Sequence, residues 1–506
     1  MATLNAPHLD YWALSPILVL LAGALIAVLA EAFLPNSLRR TASSALSFGS
    51  LIIAFACVLK EQHKTTAHAA IGSVTIDRAG IFLQGTILVL AFLSMVFLVD
   101  KDQFVAQASA LPGSNEERVS LKAGRFQSEV YSLALFSLSG ALLFVVANDF
   151  ITLFVALELL SLPLYLMVGL SRRRRLLSQE AALKYFLLGA LASAIFLFGA
   201  ALLYGYSGSL TLTGINSSIT GSNNNSYLLI LGIALVLIGL LFKTGTAPFH
   251  SWVPDVYQGA PTPITGFMAS VVKVAGFGAF LRIFYVGFDL AVTSWKPLVI
   301  GAAVISMFVG AIGTVVQRDG KRILAYSSIA HSGFLILAIV SLTKVTLIST
   351  LFYLITYGVA TIGIFGAMSL IRDSVGEVGD TNRWAGLSKK SPLLAGVISI
   401  FLLSFTGIPL TSGFVAKFNL FTAVFVTGNW WLVLAAVIAS AIAAYAYLRI
   451  IVQIYLSTTP ASSVTVSVPS IATRVTLAIT ALFTIVIGVA PSLLIDFSNT
   501  FQTFIR

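Results

Sequence analysis

Charge is what this 506-residue sequence has least of: 10% of its residues are Asp, Glu, Lys or Arg, against roughly 25% in a soluble globular protein. That shortage excludes a cytosolic enzyme, and 58% hydrophobic residues exclude a disordered chain. Cysteine is nearly absent. Cys57 stands alone, so no intramolecular disulfide can form, and no Cys/His cluster has metal-ligand spacing. The sequence also lacks a Gly-rich phosphate loop of the Rossmann or Walker kind, an HExxH motif and a nucleophile elbow. It therefore offers no site of its own for nicotinamide, flavin, haem or an iron–sulfur cluster. No Lys or Arg precedes Arg39, whereas a cleavable signal opens on positive charge; none is expected.

Long apolar runs are what the chain does have. A hydrocarbon core about 30 Å thick takes roughly 20 apolar residues as a helix. Runs of that kind fall near 13–34, 44–59, 79–99, 129–147, 150–170, 181–204 and 227–245. The rest fall near 263–285, 297–316, 323–342, 346–370, 392–425, 430–456 and 474–496. The expectation is an all-α polytopic membrane protein of about 14 spans. Strands are not expected, because the runs far exceed the roughly 10-residue alternating segments of a barrel. Residues 205–226 and 457–473 read as polar connections, neither long enough for a soluble domain.

The net charge of +11 fits cytoplasmic loops better than nucleic acid, for which no binding motif is present. Arg39 and Arg40 follow the first run; Lys101, Arg118, Lys122 and Arg125 follow the third; Arg172, Arg173, Arg174 and Arg175 follow the fifth. Arg318, Lys321 and Arg322 follow the ninth, and Arg372, Arg383, Lys389 and Lys390 the eleventh. The even-numbered connections are poor in basic residues, Lys60 and Lys64 included. By the positive-inside rule both termini lie outside and the count is even. Arg172–Arg175 reads as a topogenic and lipid-headgroup patch.

Charges within the runs are functional candidates by default, since each costs about 2.5–3.5 kcal/mol or more at the bilayer centre. Lys273 is the only charge in 264–281 and lies about 13 Å from either end, too far for its side chain to snorkel to water. Glu158 is the only charge in 151–170. It reads either as a polar helix–helix contact or as a proton-relay carboxyl. Pro163, five residues on, is expected to kink this span.

Lys243 closes the seventh run just before Gly245 and Pro248, which cannot continue a regular helix. Broken helices occur inside a membrane where they line a hydrated cavity, so Lys243, His250 and the break belong together. His250 alone reads equally as a core histidine. Lys417 follows a second break, Thr406-Gly407-Ile408-Pro409, that matches Thr244-Gly245-Thr246-Ala247-Pro248 of the first. Two interrupted helices in corresponding places point to a transporter with inverted repeats. His331, among Ser327, Ser328 and Ser332, reads as a polar helix contact or as a proton carrier. Lys184, near the start of its run, either snorkels toward the basic loop or joins the buried set.

The stretch KTGTAPFHSWVPDVYQGAPTPITGF (243–267), with Lys273 and FGAFLR (277–282), resembles the antiporter-like subunits of proton-pumping NADH:quinone oxidoreductase, respiratory complex I. Subunits of multisubunit cation/proton antiporters share the core pattern. QRDGKRILAYSSIAHSGF (317–334) and GIPLTSGFVAKF (407–418) fit the same family, and VPDVYQGAPTP is most similar to its subunit N branch. The resemblance covers about 125–455.

It implies an antiporter-like core of two inverted five-helix repeats at 129–456, after three helices and a loop at 1–128 and before a loop and last helix at 457–506. It also implies proton translocation through Glu158, Lys184, Lys243, His250, Lys273, His331 and Lys417, in a bacterial plasma membrane. A buried lysine holds its proton beside a carboxylate and releases it when that partner is lost. FMN, iron–sulfur clusters and quinone are expected on partner subunits, with antiporter-like subunit M and the small subunits K, J and A as membrane neighbours. The competing readings are a cation/proton antiporter subunit and a non-conducting scaffold.

Overall fold

The computed structural model describes residues 9–62, 67–99, 115, 118–119, 127–170, 175–221, 227–373, 377–457, 464–501 and 503–505. Lys64, Lys101, Lys122, Arg125, Arg172, Arg173 and Arg174, which entered the charge-based topology, lie outside the described residues, as does 222–226 of the polar connection.

Each apolar run folds as helix. The chain opens with α1 (Ser15–Phe33), α2 (Asn36–Glu61) and α3 (Arg78–Val99). There follow α4 (Glu129–Val146), α5 (Phe150–Val168), α6 (Arg175–Ser207), the short α7 (Leu212–Gly221), α8 (Tyr227–Thr244) and α9 (Trp252–Gly259). Next come α10 (Thr262–Gly287), α11 (Val292–Val316), α12 (Gly320–Ser341) and α13 (Lys344–Met368). The chain closes with α14 (Pro392–Thr406), α15 (Ser412–Val426), α16 (Trp430–Leu456), α17 (Ile471–Val489) and α18 (Ser492–Asn499).

Among the described residues, thirteen helices are long and apolar enough to cross a membrane. The shorter apolar pair α14 and α15 fills the twelfth run, which completes the fourteen expected. Several local expectations need correction. The connection 205–226 contains a helix, α7, because Leu212, Ile215 and Ile219 recur at helical spacing and are all buried. Strands exist outside the spans: β1 (Ala67–Ala69) pairs with β2 (Val74–Ile76), and β3 (Ile371–Arg372) with β4 (Thr465–Val466), which ties 457–473 to another connection. Pro163 lies within α5, which continues to Val168; the expectation there is a kink and not a break.

Five spans, α4, α5, α6, α8/α9 and α10, are followed by five more, α11, α12, α13, α14/α15 and α16, and the fourth of each set is broken. An odd number of crossings reverses the direction of entry, so the second set is inverted relative to the first. The hairpins α4–α5 and α11–α12 match residue by residue with a shift of 170. A Cβ on Gly140 would lie 2.3 Å from the Leu160 nitrogen, and one on Gly310 would lie 2.3 Å from the Ala330 nitrogen. Asp149 caps α5 by accepting from the Thr152 N–H, as Asp319 caps α12 by accepting from Lys321 and Arg322. The flanking backbone is alike but its acceptor is one residue out of that register: Phe150 donates to the Leu210 carbonyl at 3.1 Å, and Gly320 to that of Gly379 at 2.7 Å.

The core lies around α10, which is wholly buried, and around α12 and α13, which nearly are. α10 is not a regular helix. Wider π turns occupy Met268–Val272 and Ile283–Gly287, the first ending directly before Lys273. Its far end is fixed by Arg282, whose guanidinium donates to both Asp77 carboxylate oxygens at 2.8 and 2.9 Å and to the Val145 carbonyl at 2.8 Å, with both side chains fully buried.

Candidate functional site

The buried polar side chains make a file through the middle of the bundle. It starts on α5, where Glu158 borders an outward apolar stripe of Ile151, Val155, Leu162 and Leu166. Its Oε1 is shut off from solvent with no hydrogen-bond partner among the described residues. One turn on, Ser161 accepts from the Lys243 ammonium at 2.7 Å and donates to the Leu157 carbonyl at 2.5 Å. The lysine therefore reaches α5 at a hydroxyl, while Glu158 acts on it electrostatically from one turn away.

Lys243 is where it is because α8 stops there. Gly245 takes a left-handed φ of +68°, which a glycine adopts without strain. Gly276 of α10 lies against the lysine stem, and a Cβ there would lie 3.6 Å from Lys243 Cγ and 3.3 Å from Thr244 Cγ2. A narrow cavity follows, lined by Tyr185, Lys243, Thr244, Trp252, Tyr257, Lys273 and Ser328 among others. The two lysines face the same small space.

Lys273 lies on α10 with its ammonium docked on α12. It donates to the Ser328 carbonyl at 2.7 Å, to the Ser328 hydroxyl, and to Ser332 Oγ at 2.8 Å. Ser332 in turn donates to the Thr244 carbonyl at 3.0 Å, which ties this site to the frayed end of α8. The Tyr357 ring lies 5.6 Å from the ammonium, within cation–π range. His331 follows on α12, with Nδ1 2.8 Å from the Tyr353 hydroxyl and its ring packed on Tyr357 and Phe405.

Lys417 ends the file. Its ammonium donates to the Phe405 carbonyl at 2.7 Å, the Thr406 carbonyl at 3.2 Å and Ser440 Oγ at 2.8 Å. Those carbonyls are the unpaired C-terminal end of α14, where the helix dipole favours a cation. Lys243, Lys273, His331 and Lys417 are 6%, 4%, 4% and 7% exposed. The two breaks correspond, but their lysines do not. Lys243 precedes the first break and Lys417 follows the second.

Two sequence candidates fall outside this file. Lys184 has a side chain 43% exposed and pairs with Glu180 at 2.7 Å and Asp255 at 2.9 Å, while Asp255 also binds Arg322 at 2.8 Å. It belongs to a charged cluster joining α6, α9 and α12. His250 lies in the break between α8 and α9, half-buried, its Nδ1 without a partner among the described residues. It makes no hydrogen bond to the lysines there. Sequence reasoning missed Ser161, Ser440, Tyr185, Tyr257, Tyr353 and Tyr357, and did not give Ser328 and Ser332 their lysine. The available signal was hydroxyls in otherwise apolar helices, which require partners when buried.

The family described as "NADH:quinone oxidoreductase/Mrp antiporter, TM" matches residues 147–443. A curated relative from Rhodococcus opacus, named "NADH-quinone oxidoreductase subunit N", is 46% identical across 100% of this chain and 98% of its own length. A Mycobacterium tuberculosis relative of the same name is 44% identical over 99% of this chain and all of its own. Among solved structures, a chain of respiratory complex I from Thermus thermophilus aligns with a TM-score of 0.78 and 31% identity, covering 95% of this chain and 98% of that one. A chain of an Mrp complex from Dietzia aligns at 0.81 over 97% of both, but at 21% identity it shares the fold alone. The chain belongs to the subunit N branch of the NADH:quinone oxidoreductase/Mrp antiporter membrane family.

Proposed function

We propose that this chain is a membrane-arm subunit of a proton-pumping NADH:quinone oxidoreductase and that it moves protons along the file from Glu158 to Lys417. The observation that carries the reading is the file itself, in which each buried ammonium meets neutral acceptors that leave it able to gain or lose a proton. Hydroxyls and carbonyls both hold a cation and tolerate a neutral amine, whereas a tight carboxylate pair would fix the charge. A change of charge at Glu158 alters the balance at Lys243, and the effect passes on through Lys273 and His331 to Lys417.

Redox chemistry belongs to partner subunits in this reading, which carry FMN, iron–sulfur clusters and the quinone site. Subunit M and the small subunits K, J and A are the proposed membrane neighbours, with the Glu158 face of α5 turned toward one of them. The proposed division is 1–128, 129–456 and 457–506, which the repeats support, with both termini on the outer side of a bacterial plasma membrane. The antiporter alternative gains nothing beyond the shared fold. Lys184 and His250 enter the proposal only at the margins of the file, as groups a proton passes on entry.

Lys273 provides the test. Lys273→Ala depresses coupled turnover and proton pumping in membrane vesicles while the assembled complex persists on native gels. Lys273→Arg keeps the charge but does not release a proton in this range, so it rescues poorly. Full pumping in the Arg variant would reject a protonation cycle at this residue.

A further inference from the structure

Hydrogen bonds do not join the file throughout, and one of its gaps is a cavity. Lys243 and Lys273 line a common cavity, yet no hydrogen bond among the described residues joins them or their immediate acceptors across it. Tyr185 of α6 lines the same space. It is 1% exposed and among the largest fully buried side chains. Its ring is held on both sides, stacked on Trp252 with centroids 4.6 Å apart and edge-on to Tyr165 at 4.7 Å. Its hydroxyl, alone of the cavity's tyrosine hydroxyls, has no partner among the described residues, whereas Tyr257 reaches Ser328. A buried phenol without a partner is costly, and a cavity with room for about one water, whose partly apolar wall carries two lysines and Ser328, is where such a group finds one.

We infer that the cavity between Lys243 and Lys273 is a water site anchored by the Tyr185 hydroxyl, which makes Tyr185 a positioning residue for proton transfer between the two lysines. The inference rests on the proposed function and deepens it. The water has the partners it requires: the phenol, the Lys243 ammonium with donors left over after Ser161, and the Lys273 nitrogen. In the transfer one N–H bond breaks at the protonated lysine as its proton passes to the water oxygen. One O–H bond of the same water breaks as an N–H bond forms at the neutral lysine. The water emerges unchanged, and a single positive charge has moved from one nitrogen to the other. The phenol keeps its own proton throughout and holds the water in line.

The test is Tyr185→Phe in the assembled complex. Phenylalanine keeps both ring contacts and removes only the hydroxyl, so assembly on native gels is expected to match wild type. Coupled turnover falls about three- to tenfold, the worth of one net hydrogen bond at the transfer step. The ratio of rates in H2O and D2O rises, because the water-mediated transfer becomes limiting; a purely structural role would not change that ratio. A map of the wild-type complex shows density within hydrogen-bond distance of Tyr185 Oη, and the Phe variant loses it. Unchanged turnover with an unchanged isotope ratio overturns the inference, as does an empty cavity in the wild-type map. Loss of assembly in the Phe variant overturns it too, since the hydroxyl would then have a structural partner. Lys273→Ala, run in parallel, separates the two claims. If it pumps normally the proposed function fails, and if it is impaired while Tyr185→Phe is silent only the water site fails.

Discussion

Lys273 and Lys417 look alike in burial and in hydrogen-bond number, yet their replacement by methionine is predicted to affect stability differently. Methionine matches the lysine stem and removes the ammonium. At Lys273 the acceptors left behind have other partners: the Ser328 carbonyl lies inside α12, and the one proton of Ser332 Oγ is shared between that carbonyl at 2.9 Å and the Thr244 carbonyl at 3.0 Å. Tyr257 and Tyr357 still reach the Ser328 hydroxyl. Removing a buried charge without stranding its neighbours is neutral or stabilising, by up to about 1–4 kcal/mol.

At Lys417 the Phe405 and Thr406 carbonyls receive no other hydrogen bond among the described residues, because α14 ends at Gly407 and Pro409 has no N–H to offer. Each stranded carbonyl costs about 1–3 kcal/mol, so Lys417→Met falls roughly 2–6 kcal/mol below Lys273→Met in stability. The measurement is the temperature at which the detergent-solubilised complex loses this subunit on native gels. Lys273→Met is expected at or above wild type and Lys417→Met clearly below. Equal losses in the two variants, or a larger loss at Lys273, would refute this account of what holds each ammonium.

Two further predictions concern the scaffold. Asp77→Asn leaves Arg282 charged, fully buried and without its counter-ion, at a cost of about 3–5 kcal/mol; adding Arg282→Met should recover part of the assembled complex, and a further loss instead would show that the pair's charge is not what matters. Gly310→Ala drives a methyl into the Ala330 backbone and should cost about 1–3 kcal/mol, whereas Gly301→Ala on the same helix meets nothing within 4 Å and should be neutral, so equal effects on thermal stability would contradict the close α11–α12 approach.

The lysines were legible in the sequence because a charge inside an apolar run is too costly to be incidental, and the breaks were legible because Gly and Pro interrupt helices by covalent geometry. The hydroxyls that receive the charges were not. Serine and tyrosine are common in membrane helices, and nothing in the order of residues says that Ser161 faces Lys243 across 82 positions. The same limit hid the partner of Lys184, Asp255, which lies 71 residues away on another helix. The two breaks point to inversion in the sequence, but the shift of 170 emerges from the matching close approaches of Gly140 and Gly310 and the matching caps Asp149 and Asp319. Few other side chains in those hairpins are shared.

That shift also shows how the halves differ. It places Glu158 of α5 at the position of Ser328 on α12, and Ser161 at that of His331. One fold position thus carries a carboxylate at the edge of the chain and a neutral hydroxyl at its centre. Three lysines share the file with this carboxylate, so among the described residues only Lys243 has a carboxylate acting on it, and the others depend on dipoles. In the proposed relay Glu158 sets the charge state of the file from its outer end, where α5 carries its exposed apolar stripe. Glu158→Gln keeps the shape and the stripe, and is expected to leave assembly intact while lowering the number of protons pumped per electron. The ratio should fall because Lys243 loses the one charge that can switch it, whereas the dipoles along the rest of the file are unaltered. Vesicle pumping measured against NADH oxidation gives that ratio directly. An unchanged ratio in an intact Glu158→Gln complex would remove the carboxylate from the relay and leave the file without an internal control.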